Sequence, residues 1–156
     1  MASKSYFNIQ HPIKLSPQPT GMTCWSAATT MLFGTTFTAG PGKAELSEDG
    51  GLLADSTNIA TFAHSYNLRM YYPQTWSVDG LVQLLKRGPV ALMGAIPSLH
   101  AVVIGGISGD GTPSGTELTI YDPWPPNIGG NPLGSRFNYE VLLQRFPLAT
   151  MYLLQR

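Results

Sequence analysis

From Thr23 onward, Cys24, Ala27, Ala28 and Met31 recur at i, i+3, i+4 and i+7, the spacing of one helix face, with Thr23 as N-cap and Gly34 as a stop. The pattern predicts a helix that opens at or beside a cysteine. A second helix is predicted over 56–66, where Ile59, Phe62, Ala63 and Tyr66 share a face behind the capping residues Asp55 and Ser56. A third is predicted over 77–87, with Leu81, Leu84 and Leu85 inward and Gly88 as its stop. After it the period shortens. Segments 89–95, 101–107, 117–121 and 149–154 are rich in Val, Ile, Leu and Tyr and bounded by Gly, Pro, Asp and Ser, as strands are. Residues 68–72 add a further strand and 139–146 a short helix. The first twenty residues, with Pro12, Pro17 and Pro19 and little periodicity, read as an extended entry to the first helix. Helices followed by antiparallel strands make an α+β arrangement rather than an alternating βαβ one.

Composition narrows this picture. A chain of 156 residues is one domain's worth, so residues 1–156 are read as a single domain. With 43% hydrophobic and only 12% charged residues it buries a core and is not disordered. Nine Lys and Arg balance nine Asp and Glu, which leaves no electrostatic footprint for nucleic acid or an anionic membrane. The longest apolar runs, 89–96 and 101–107, fall short of the ~20 residues that a membrane span requires. The polar start MASKSYFNIQ lacks the apolar stretch of a secretory signal, so any export is expected to use a route that needs none. Glu45, Glu48, Asp49 and Asp55 read as a solvated, Gly-rich loop. The Gly pairs 50–51, 105–106 and 129–130 read as loops and close packing.

Cys24 is the one cysteine, which excludes an intramolecular disulfide and a cysteine zinc cage. His64 has no acidic or cysteine partner at ligand spacing, and His11 and His64 read as structural or surface residues, so no metal and no cofactor are expected. The chemistry concentrates in QPTGMTCWSAATTML at 18–32, LHAVVIGGI at 99–107 and LTIYDPWPP at 118–126, which supply Gln18, Cys24, His100 and Asp122. The thiolate is the nucleophilic form of cysteine, and a helix N-terminus plus a neighbouring imidazolium favours it. His100 opens one apolar strand and Asp122 closes the next. If those strands pair, both side chains meet at one end of the sheet, where Asp122 can orient the ring while its other nitrogen faces sulfur. Asn127 is the nearest polar substitute for Asp122. Gln18, six residues before the cysteine, can carry its side-chain NH2 towards an oxyanion beside the Cys24 amide.

These motifs resemble the papain-like cysteine peptidases of clan CA. The resemblance rests on Gln18 ahead of Cys24, the aromatic Trp25 directly after it on a small-residue helix, the later HAVVIGG strand and the polar residue of YDPW. It implies a papain-like fold, in which an N-terminal helical part carrying the nucleophile packs on a C-terminal antiparallel β-sheet. It also implies the roles of oxyanion donor for Gln18, nucleophile for Cys24, general base for His100 and orienter for Asp122. Two departures stand out. The family's usual Cys-Gly-Ser before the nucleophile is Gly21, Met22 and Thr23 here, and the last polar residue is Asp rather than Asn. His100 follows Cys24 by 76 positions, against ~130 to 150 in papain and the cathepsins. The resemblance is thus to the short bacterial members, the secreted effector peptidases and the bacteriocin-leader peptidases that cut after a double glycine.

The expectation is an endopeptidase acting on a protein substrate without a cofactor, with specificity for small residues or a double glycine. By the same resemblance it would be an effector or toxin domain, exported from a bacterium and acting in the cytoplasm of a target cell, with a cognate immunity or inhibitor protein covering the cleft in the producer. Trp25 and Trp124 are aromatic candidates for substrate binding, with packing in the core or at its rim as the competing reading. Over the His100 and Asp122 pair, Trp124 would keep water off their hydrogen bond. The same triad serves deamidases and acyltransferases, and a papain-shaped binding module without catalysis is the rival from another class.

Overall fold

The runs predicted as strands over 89–95 and 101–107 are apolar at nearly every position, and such strands are stable where both faces of a sheet are covered. The computed structural model, which describes residues 6–34, 37–95 and 99–156, shows that arrangement. Residues 1–5 of the polar start and residue 96 at the end of the apolar run 89–96 lie outside the described residues. In chain order the elements are β1 (Phe7–Gln10), α1 (Cys24–Leu32), α2 (Ser56–Ser65), β2 (Arg69–Tyr71), α3 (Val78–Leu85), β3 (Val90–Ala95), β4 (Leu99–Gly109), β5 (Thr116–Tyr121), β6 (Ser135–Asn138), α4 (Tyr139–Arg145) and β7 (Met151–Gln155), with a 3-10 turn at Leu148–Thr150 before the last strand. The fold is α+β, as the order of patterns predicts.

All pairings are antiparallel, in the order β2-β7-β3-β4-β5-β6, and β1 adds to β4. Alternate residues of the central strands serve two cores. Val90, Leu92, Val102, Ile104 and Leu153 pack with Leu81, Leu84 and Leu85 of α3 and Leu142 of α4. Ala91, Met93, Ala101, Val103 and Leu154 pack with α1 and α2 through Met31, Ile59 and Phe62. Each large aliphatic side chain so buried contributes about 1.5–3 kcal/mol, and helices on both faces explain why the strands lack polar alternation.

α1 is buried at every position from Cys24 to Leu32, and its small and hydroxylated residues fit that place. Thr29 and Thr30 donate their hydroxyls back to the carbonyls of Trp25 and Ser26 (both 2.8 Å), so no hydroxyl there is left unsatisfied. Thr23 occupies the N-cap position, but its hydroxyl makes no capping bond and instead pairs with Thr20. In α2 and α3 the caps do form, Asp55 accepting from the Asn58 N–H and Ser77 from the Gly80 N–H.

Two strands depart from the sequence reading. Residues 7–10, expected to be only an extended entry, pair with Gly106–Gly109 of β4, and Ser135–Asn138 forms the edge strand β6. β4 bends at a bulge where Gly105 falls between the Ile104 and Gly106 pairings with β5. A Cβ on Gly105 would lie 2.6 Å from the Tyr121 ring and 2.9 Å from Ile13, so the close packing expected of this glycine pair is what the bulge requires.

Candidate active site

α1 begins at Cys24 because the turn before it is tied down locally. Thr20 and Thr23 hydrogen-bond to each other, and the Gln18 amide Nε2 donates to the Thr20 carbonyl at 2.7 Å. The segment is also stitched to the loop after β5. The Gln18 N–H donates to the Pro123 carbonyl (3.1 Å) and the Asn127 N–H donates to the Gln18 carbonyl (2.8 Å). Cys24 is thereby set at the end of the sheet where His100 begins β4 and Asp122 follows β5.

The structure brings Cys24, His100 and Asp122 together. His100 Nε2 lies 3.4 Å from Asp122 Oδ2, and the Cys24 thiol hydrogen-bonds to the same imidazole. The second carboxylate oxygen of Asp122 accepts from the Trp124 N–H at 3.0 Å, which fixes the carboxylate plane. Asn127, whose N–H is bound to Gln18, is not needed as a substitute. The hydrogen bond that His100 donates to Asp122 is the main cause that raises the His100 pKa from 6.5 to about 9. The hydrogen bond with Cys24 adds to it, and burial opposes both. His100 is therefore an imidazolium at neutral pH.

A raised histidine pKa has a definite sign. The stabilisation it represents is fully present below pH 6.5 and is lost as pH rises through about 9. Asp122→Asn removes the largest cause, so His100 is expected to titrate well below 9 in that variant. A proton NMR titration of the His100 imidazole signals in wild type and Asp122→Asn checks this. A His100 that still titrates near 9 would show that Asp122 is not what holds its proton.

Gln18 is 1% exposed, and its Oε1 has no hydrogen-bond partner among the described residues. One amide hydrogen is committed to Thr20, which sequence reasoning did not foresee. The two tryptophans separate. Trp25 is turned into the core, edge-on to Phe62, with its indole N–H donating to the Gly50 carbonyl at 3.0 Å, so it packs rather than lines a cleft. Trp124 is 51% exposed and does not cover the pair it neighbours, since the His100 and Asp122 side chains remain 41% and 36% exposed. Trp124 borders a cavity together with Asp122.

The bond from Trp25 reaches the loop over 47–51, which the sequence predicts as a solvated stretch. Residues 47–51 close on themselves through Ser47, and Gly51 sits against Met22, so this loop borders the N-terminus of α1. A Gly-Gly pair beside a helix that opens on cysteine was the available signal. His11 holds the Leu85 carbonyl at 2.6 Å and His64 is exposed on α2. Among the described residues no group of His, Cys, Asp or Glu could hold a metal ion, and no helix is long and apolar enough to cross a membrane.

Comparison with known proteins identifies the family and the fold. Residues 6–134 match the family model described as "Papain-like cysteine protease AvrRpt2". Among solved structures the chain is similar to the crystal structure of UfSP from C. elegans, with a TM-score of 0.56 at 13% identity. That likeness is one of fold. It covers 97% of this chain but 34% of the other, so this chain spans about a third of that protein. A search of curated protein sequences gives no significant match.

Proposed function

We propose, for a chain that belongs to the papain-like cysteine protease family of AvrRpt2, that Cys24, His100, Asp122 and Gln18 are the residues that hydrolyse a peptide bond in a protein target. The observation that carries this reading is the imidazole of His100, held between the Asp122 carboxylate and the Cys24 thiol. With Nε2 engaged by Asp122, Nδ1 is the ring nitrogen left for sulfur. An imidazolium there stabilises a thiolate, which is the nucleophilic form.

The Cys24 thiolate attacks the scissile carbonyl carbon, a C–S bond forms, and the carbonyl π electrons move to oxygen. The Cys24 backbone N–H, at the first position of α1, and the second amide hydrogen of Gln18 stabilise that oxyanion. The intermediate collapses as His100 gives its proton to the leaving amine, and the C–N bond breaks. His100, now neutral, takes a proton from water, which attacks the thioester. The carboxylate product leaves and the thiolate–imidazolium pair is restored. Asp122 keeps the ring in the tautomer and orientation that both steps use.

Cleavage beside small residues or a double glycine, and delivery as an effector or toxin domain into the cytoplasm of a target cell, follow from the resemblance to the short bacterial members. A cognate immunity protein would then cover the cleft in the producing cell. Wild type and Cys24→Ala are to be incubated with a peptide library made from a digested proteome, and the new N-termini sequenced by mass spectrometry. Cuts made by wild type and absent with Cys24→Ala are the expected result. No cuts, with side-chain amides converted to acids, would replace hydrolysis of the backbone by deamidation. No change of any kind would favour a binding module.

A further inference from the structure

The face of the sheet that carries His100 has a feature which the triad does not use. Met151, Gly94 and His100 lie side by side on β7, β3 and β4, since Met151 pairs with Gly94 and Gly94 with His100. With Arg145, Phe146 and Thr150 they line a cavity of about 130 Å³. Gly94 makes room for the Met151 side chain, which a Cβ there would approach to 2.9 Å. Arg145, the last residue of α4, and Phe146 also border a second cavity of about 160 Å³ that contains Asp122 and Trp124. The guanidinium thus stands between two hollows that flank the His100 and Asp122 pair.

The charges in the first cavity do not balance. Arg145 and His100 line it; His100 is paired with Asp122, so the Arg145 guanidinium alone has no carboxylate to match it there. Arg145 has no ion-pair partner among the described residues, and its guanidinium carbon lies 5.7 Å from the centre of the Phe137 ring. Asp122 borders the second cavity with Arg145 but forms no ion pair with it, its own partner being His100. A half-enclosed hollow with a cation oriented by an aromatic face, apolar walls and no anion of its own is complementary to a carboxylate, which a guanidinium binds through paired N–H donors.

We propose that Arg145 binds an acidic side chain of the protein substrate, seated in the cavity beside His100, so that a carboxylate near the scissile bond decides which bonds are cut. The inference rests on the proteolytic reading above and adds to it the charge of the sequence recognised. A bound carboxylate in this place also faces the imidazolium, so it is held during the step in which His100 still carries its proton.

The test is internal to each enzyme. The cut sites of wild type in the proteome-derived library are aligned, and two synthetic peptides are made from one of them, identical except for Glu or Gln at the enriched position. Wild type is expected to favour the Glu peptide in kcat/KM by about tenfold or more, the size of a charge-assisted hydrogen bond. Arg145→Glu is expected to abolish or invert that ratio, and Arg145→Lys to retain part of it. Cys24-dependent cuts without acidic enrichment, or a Glu to Gln ratio unchanged by Arg145→Glu, would overturn this inference and leave the protease standing. Absence of any Cys24-dependent cut would overturn the proteolytic reading, and this inference with it.

Discussion

His100→Ala is expected to lower peptide hydrolysis by at least about 10³-fold, because one side chain serves as the acid of the first step and the base of the second. The loss has a readout that needs no substrate. Cys24 is the single thiol of the chain and is 3% exposed, with the His100 imidazole as its hydrogen-bond partner. In a pH series iodoacetamide should alkylate wild type faster than His100→Ala on the acid side, because the His100 imidazolium favours the thiolate. Equal profiles for the two proteins would mean that the imidazolium does not activate sulfur, and the proposed mechanism would fail. Asp122→Asn should fall between them, since the ring keeps its place but loses the carboxylate that contributes most to its raised pKa.

The second large effect concerns the support of the nucleophile rather than its chemistry. Phe62 of α2 is wholly buried, and its ring meets Trp25 edge-on at 5.7 Å and Tyr66 at 5.4 Å. Trp25 directly follows Cys24, so this contact backs the first turn of α1. Phe62→Ala leaves a cavity that no exposed side chain can fill, and the expected cost is about 3–5 kcal/mol. In urea that corresponds to a midpoint lowered by roughly 2 M. Leu133→Ala, at an exposed position of the loop before β6, is the control and should change stability by less than about 0.5 kcal/mol. A Phe62→Ala midpoint as high as that of the control would show that the α1–α2 packing is not what holds the helix in place.

Much of this arrangement is legible in the sequence because it rests on local pattern. Cys24, Ala27, Ala28 and Met31 mark α1, and the Val- and Ile-rich runs mark β3 and β4. The meeting of His100 with Asp122 follows once these runs are read as an antiparallel pair, since one residue begins β4 and the other follows β5. Other parts are set by partners distant in the chain. β1 offers only Phe7 and Ile9 as alternating apolar positions, too few to signal a strand, and it exists because β4 is long enough to take it beyond the end of β3. β6, with the sequence SRFN, is a polar edge strand whose pairing with β5 leaves no periodic trace. The direction of Trp25 depends on the Gly50 carbonyl, and the commitment of the Gln18 amide depends on the fold of the Thr20 turn. Neither carbonyl is identifiable from side-chain types, because every residue has one.

The strand β4 also sets how far β1 lies from the catalytic end of the sheet. Phe7 pairs with Gly109, at the opposite end of β4 from His100, and at roughly 3.3 Å per residue that end is about 30 Å away. β7 runs from Met151, beside Gly94 and His100, towards Gln155, so it too carries the polypeptide away from the cleft. The first described strand thus lies at the far end of β4, and β7 leads from the His100 end towards the middle of the sheet.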